Sequence, residues 1–154
     1  MIESTLILIP LGVLITASLL CILFWKNIRV QAFISGGAIT TYLIAAFVLL
    51  KKVYEKGIQV VQIGDWPAPF GITLVADLFA SVMVLVSAIV AFAIFFYAYQ
   101  DISDKRKKYG FYPVFLIMMF GVSGSFLTGD IFNLYVWFEV MLVASFVLIV
   151  LGNS

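Results

Sequence analysis

Five runs of about twenty mostly apolar residues, joined by short polar connections, leave this chain few ways to fold. At about 1.5 Å rise per residue, twenty residues of helix cross the roughly 30 Å hydrocarbon layer of a bilayer. In that layer every backbone N–H and C=O must be satisfied within the protein, which restricts such runs to helices. The runs fall at residues 6–25, 30–50, 72–99, 111–127 and 131–151. The third overruns the hydrocarbon and is expected to tilt or to project into water. The fourth is short and starts beside Pro113, which a first helical turn tolerates. Residues 1–154 therefore read as a single all-α transmembrane region. The connections are too short for a water-soluble domain, and no internal repeat is visible.

Composition points the same way: 64% of residues are hydrophobic and 11% charged, against roughly half and a quarter in a soluble domain. The charges are also segregated. Lys26, Arg29 and the run Lys105-Arg106-Lys107-Lys108 lie in the first and third connections, six cations in all, against Lys51, Lys52 and Lys56 in the second. Cytoplasmic connections are the ones enriched in Lys and Arg, so the six-to-three asymmetry puts the N-terminus outside and the C-terminus inside a cell membrane. The first span is not read as a removable signal, because Met1-Ile2-Glu3-Ser4 has no Lys or Arg and no small-residue cleavage site follows. A net charge of +1 gives no reason to expect nucleic acid as a partner. With one cysteine and no histidine, an intrachain disulfide is excluded and the commonest haem and zinc ligand is missing. No cofactor, metal site or redox catalysis is expected of the chain. Cys21 reads as a small residue facing lipid or another helix.

Glu139 is the residue that points most strongly to chemistry. It lies about 12 Å along the fifth span, counted at 1.5 Å per residue, with apolar sequence on both sides. A charge near the bilayer centre costs about 3 kcal/mol or more, so such a carboxyl is neutral or matched by a cation. No Lys or Arg of the chain lies at that depth. Tyr135, one turn earlier on the same face, can donate a hydrogen bond but cannot neutralise a charge. Glu139 is therefore read as a proton-carrying site, the alternative being a neutral glutamate hydrogen-bonded between packed helices.

Thr73, Asp77 and Ser81 recur every four residues and make one polar stripe along the outer half of the third span. Such a stripe would border a hydrated cavity or bind neighbouring helices together. Asp130, in Thr128-Gly129-Asp130, reads as a turn and helix N-cap. Gly121-Val122-Ser123-Gly124-Ser125 and Gly36-Gly37-Ala38 permit close helix approach. Trp25, Tyr99, Tyr109 and Tyr112 stand where interface anchors are expected. The run Lys105–Lys108 is explained as a topology signal, and it also offers charge to anionic membrane lipid. In the second connection, residues 58–63 read as a short strand. Gly64-Asp65-Trp66-Pro67-Ala68-Pro69-Phe70-Gly71 after it reads as an ordered turn in a small external hairpin.

That turn, GDWPAPFGI, and the later stretch SFLTGDIFNLYVWFEVMLVASFVLIVLG resemble the D subunit of Mrp-type multisubunit cation/proton antiporters, and the order of the spans agrees throughout. The resemblance implies an all-helical membrane protein of about fourteen spans, with two inverted five-helix repeats after three leading helices. It further implies other antiporter subunits as partners, Na+ and protons as cargo, and a transporter component rather than an enzyme. In that family a glutamate of the fifth helix pairs with a lysine of the seventh and modulates its proton uptake. Within FNLYVWFEVML the matching glutamate is Glu139, while the lysine has no counterpart before Ser154. The chain is thus expected to be the N-terminal part of a longer protein, or else a short subunit completed by another chain, and to transport nothing by itself. An ion-translocating subunit of complex I or of a membrane-bound hydrogenase is the alternative within the same superfamily.

Overall fold

The computed structural model describes residues 4–63 and 71–152. A 3-10 turn at Ser4–Ile7 leads into α1 (Leu8–Leu23) and α2 (Ile28–Lys56). The strands β1 (Gln59–Ile63) and β2 (Ile72–Ala76) follow, then α3 (Leu78–Asp101), α4 (Asp104–Lys108), α5 (Phe111–Leu127) and α6 (Ile131–Gly152). Four of the helices are long and apolar enough to cross a membrane, and α5 is a shorter apolar helix beside them. The protein is a multi-pass membrane protein.

Helix α5 lies at the centre, packed against α1, α3 and α6, while α2 closes the bundle against α1 and α3. Its central place explains why Tyr112, Phe115, Leu116, Met119 and Leu127 are all buried. Between apolar helices in lipid, close packing and a few interhelical hydrogen bonds hold the bundle. The Ser18 hydroxyl donates to the Pro113 carbonyl at 3.1 Å, tying α1 to α5. The Ser123 hydroxyl donates to its own helix at Met119, 2.8 Å away, so the Tyr42 hydroxyl supplies the proton of their 2.7 Å bond across α2 and α5. Cys21 faces helix α2, with its sulfur 3.4 Å from the Ser35 hydroxyl.

The bundle has two distinct ends. At one, Gly110 takes a left-handed backbone (φ 98°) directly under the Trp25 ring, where a Cβ would come within 2.5 Å of it. The α1–α2 turn therefore meets the α4–α5 turn. At the other end β1 and β2 pair antiparallel, from Gln59 opposite Ala76 to Ile63 opposite Ile72. This hairpin is fastened to the α5–α6 turn: the Gly129 N–H donates to the Thr73 carbonyl at 2.9 Å, and Leu74 bridges to Thr128.

Several sequence expectations need correction here. The third helix starts at Leu78, not at residue 72, because Ile72–Ala76 is the second strand of the hairpin. Its β-branched, apolar residues find a hydrogen-bonding partner in β1, and that decides a run which periodicity alone leaves open. Thr73, Asp77 and Ser81 consequently do not form one helical stripe. The turn expected at residues 64–71, with Trp66, Pro67 and Pro69, falls for residues 64–70 outside the described residues. Helix α2 runs on to Lys56, where Gly57 stops it at φ 79°, so Lys51 and Lys52 sit on its last turns rather than in a loop. Tyr112, expected at an interface, is 1% exposed in the core, whereas Trp25, Tyr99 and Tyr109 remain accessible. Lys107 is also buried; its ammonium donates to the Tyr99 carbonyl at 2.9 Å and places a cation at the C-terminal end of α3, where the helix dipole favours one.

Candidate functional site

Asp130 fixes where α6 begins. Its carboxylate accepts the Phe132 N–H at 3.0 Å, its carbonyl accepts the Leu134 N–H at 2.8 Å, and the Thr128 hydroxyl steadies that carbonyl at 3.3 Å. This is the N-cap expected of it. From that start the helix is held against α5 by glycines. A Cβ on Gly121 would approach the Met141 backbone nitrogen to 2.8 Å, and one on Gly124 would overlap the Trp137 ring. Trp137 also meets Phe120 edge to face, with centroids 4.9 Å apart. Asn133, Trp137, Met141 and Ala144, at helical spacing, thus form the face turned to α5.

Glu139 lies two residues beyond Trp137, about 200° further round at 3.6 residues per turn. It is exposed, as are Tyr135, Leu142 and Phe146 on the same side of α6. The Tyr135 hydroxyl is hydrogen-bonded to the Glu139 carboxylate, the pairing anticipated from their spacing. Glu139 is therefore not enclosed between the described helices. Its carboxyl and the phenol lie side by side on a face of α6 that no described helix covers.

The other expected residues are dispersed. Thr73 sits on β2, and its carbonyl is engaged by Gly129. Asp77 is half-buried and caps α3, accepting the Ala80 N–H at 2.7 Å. Ser81 lies one turn into α3, fully buried, with a hydroxyl that has no hydrogen-bond partner. Sequence reasoning did not single out Tyr42 and Ser123 as an interior polar pair, nor Asn133 and Trp137. The buried Asn133 amide nitrogen and the indole N–H of Trp137 are both without a hydrogen-bond partner. A signal was present: a Tyr, Trp or Asn in the middle of an apolar span must place its polar tip somewhere. Among the described residues no cluster of His, Cys, Asp and Glu is arranged to hold a metal ion.

No family model matches the chain. Its fold does match solved membrane complexes. A chain of the Mrp complex from Dietzia sp. superposes with TM-score 0.81 at 29% identity, over 94% of this chain and 27% of that one. A chain of the membrane-bound sulfane sulfur reductase, an archaeal respiratory membrane complex, does so with TM-score 0.79 at 24% identity, over 95% and 29%. The bundle is therefore that of an antiporter-like membrane subunit. Its sequence narrows the family further. The chain is 47% identical over 151 residues to the D subunit of the Na(+)/H(+) antiporter of Alkalihalophilus pseudofirmus, covering 98% of this chain and 31% of the relative. Over nearly its whole length the chain is similar to the D subunits of Na+/H+ antiporters, and it spans about a third of the length of such relatives.

Proposed function

We propose that this chain forms part of a membrane subunit of a multisubunit Na+/H+ antiporter, and that Glu139 lies on its proton route. The observation that carries this reading is the position of Glu139, on the uncovered face of α6 at membrane depth, in a chain nearly half identical to an antiporter D subunit. A carboxyl turned toward hydrocarbon is costly in its charged form, by about 3 kcal/mol. A covering helix that brings a cation removes the cost and couples the two charges. When the cation is near, the carboxylate is held ionised; when it withdraws, the carboxyl takes a proton. Their separation then acts as a switch. The covering elements belong to the rest of the subunit or to partner subunits of the complex.

The experiment is antiport by the assembled complex in everted membrane vesicles carrying Glu139→Gln. The amide keeps the shape and the hydrogen bond to Tyr135 but cannot exchange a proton, so Na+-driven release of the pH gradient should fall to background with assembly intact. Normal antiport would remove Glu139 from the route. Asp77, already satisfied as a cap, and Thr73 and Ser81 have at most a supporting place at the hairpin end of the bundle. The complex sits in the plasma membrane with the N-terminus outside, as the cation asymmetry indicates.

A second reading is an ion-translocating subunit of a redox-driven complex of the complex I or hydrogenase type, favoured by the fold shared with the respiratory sulfane sulfur reductase complex. Proton movement that follows electron donors and ignores added Na+ would support it instead.

A further inference from the structure

A cleft of about 770 Å³ opens on the side of the bundle among α2, the last turns of α3, α4 and the start of α5, and no residue of α6 lines it. Its walls are Phe33, Gly36, Gly37 and Thr40 on α2, with Phe95 and Phe96 opposite on α3. The two glycines create the furrow. A Cβ on Gly36 would stand 3.1 Å from the Phe95 ring, and one on Gly37 would meet nothing within 4 Å. Thr40 presents no spare donor to the furrow, because its hydroxyl turns back on the Gly36 carbonyl at 2.8 Å.

The mouth differs in character. It carries Arg29, Asp104 and Lys107, two cations and one anion, for a net charge of +1. The Lys107 ammonium uses one of its three donors on the Tyr99 carbonyl, which leaves capacity for another acceptor. From Ile28 to Thr40 the furrow follows α2 for about 18 Å at 1.5 Å per residue, close to the ~15 Å half-thickness of the hydrocarbon layer. An acyl chain below an anionic headgroup matches both that length and the net positive charge of the mouth.

We infer that the cleft holds a phospholipid with an anionic headgroup, its phosphate between Arg29 and Lys107 and an acyl chain along the Gly36–Gly37 furrow. The site does not depend on the transport reading, since it shares no residue with Glu139 or Tyr135. Bound there, the lipid fills space between α2 and α3 that their side chains leave open, and it holds α4 against the end of α3.

The test uses protein purified from its native membrane in mild detergent, washed extensively, with retained lipid extracted and quantified by mass spectrometry. Wild type should retain phospholipid at about one per chain, enriched in phosphatidylglycerol over phosphatidylcholine when both are supplied, as a cationic mouth requires. Gly37→Leu puts a side chain into the open furrow at a position where an added Cβ meets nothing within 4 Å, and should reduce retained lipid to the background of bulk detergent exchange. Thr40→Leu is the second filling variant, used where the first gives no helical circular dichroism. Arg29→Gln should keep the acyl chain but lower the phosphatidylglycerol preference about fivefold, the effect of one cation near a membrane surface. Undiminished lipid in both filling variants overturns the proposal. So does an unchanged headgroup preference in Arg29→Gln, or a protein partner released by Gly37→Leu in place of lipid.

Discussion

At Gly124 a hydrogen atom stands where any other residue would put carbon into the Trp137 ring. Gly37 is the contrasting case, a helical glycine whose added methyl would meet nothing within 4 Å. The two should respond oppositely to alanine. Gly124→Ala must force α5 and α6 apart and should destabilise by about 1–3 kcal/mol, the usual effect of overpacking. Gly37→Ala should be neutral or stabilising by up to about 1 kcal/mol, because alanine is the better helix former. Thermal unfolding in detergent, followed by circular dichroism, separates them; equal effects would mean that the α5–α6 contact is looser than its geometry. Glu139 gives a second residue-level contrast. Its side chain is exposed and engages Tyr135, and a glutamine can accept the same hydrogen bond. Glu139→Gln should therefore change the unfolding free energy of the isolated chain by no more than about 0.5 kcal/mol, as for surface substitutions in general. A marked loss of stability would reveal a structural contact within this bundle and weaken the transport role.

Among the elements, the hairpin and the start of α3 depend on Asp77, which follows β2 and accepts the Ala80 N–H in the first turn of the helix. Asp77→Ala should cost about 1 kcal/mol, the typical value of an N-cap, whereas Asn caps equally well and should restore stability. Antiport by the assembled complex should survive Asp77→Asn; a changed ion dependence at normal stability would return this carboxylate to the transport path. The same element shows what was legible in the sequence and what was not. Helix cores follow from local hydropathy, and Tyr135 meets Glu139 because residues four apart share a face. The apolar run Ile72–Ala76 fits helix or strand equally, and its partner strand is Gln59–Ile63, earlier in the chain. Once it pairs with β1, the supposed Thr73–Asp77–Ser81 stripe comes apart. The Tyr42–Ser123 bond joins residues 81 positions apart, and Lys107 reaches back to Tyr99 across a chain reversal. Neither has a local signature, because three-dimensional packing alone selects the partner.

For the whole molecule, the structure joins the charge pattern to two physical ends. Trp25 rests on Gly110, so Lys26, Arg29 and the α4 cations share one end. The opposite end gathers the hairpin, the α5–α6 turn and the last turns of α2, with Lys51, Lys52 and Lys56. The asymmetry of six cations to three survives the correction of the helix boundaries, because extending α2 to Lys56 moves no cation from one end to the other. Lys and Arg concentrate on the cytoplasmic side, so the expected arrangement has the α4 end inside and the hairpin outside. Single cysteines test this in intact cells. Ile58→Cys lies at the hairpin end, where the native side chain is 66% exposed, and Tyr109→Cys lies at the α4 end at 55%. The native Cys21 is buried and gives a low background for either. An impermeant maleimide should label position 58 in intact cells and position 109 only after permeabilisation. The reverse pattern would put the α4 cations outside. It would leave them without a role as a topology signal, and the cationic mouth formed by Arg29 and Lys107 would then face lipid of the outer leaflet.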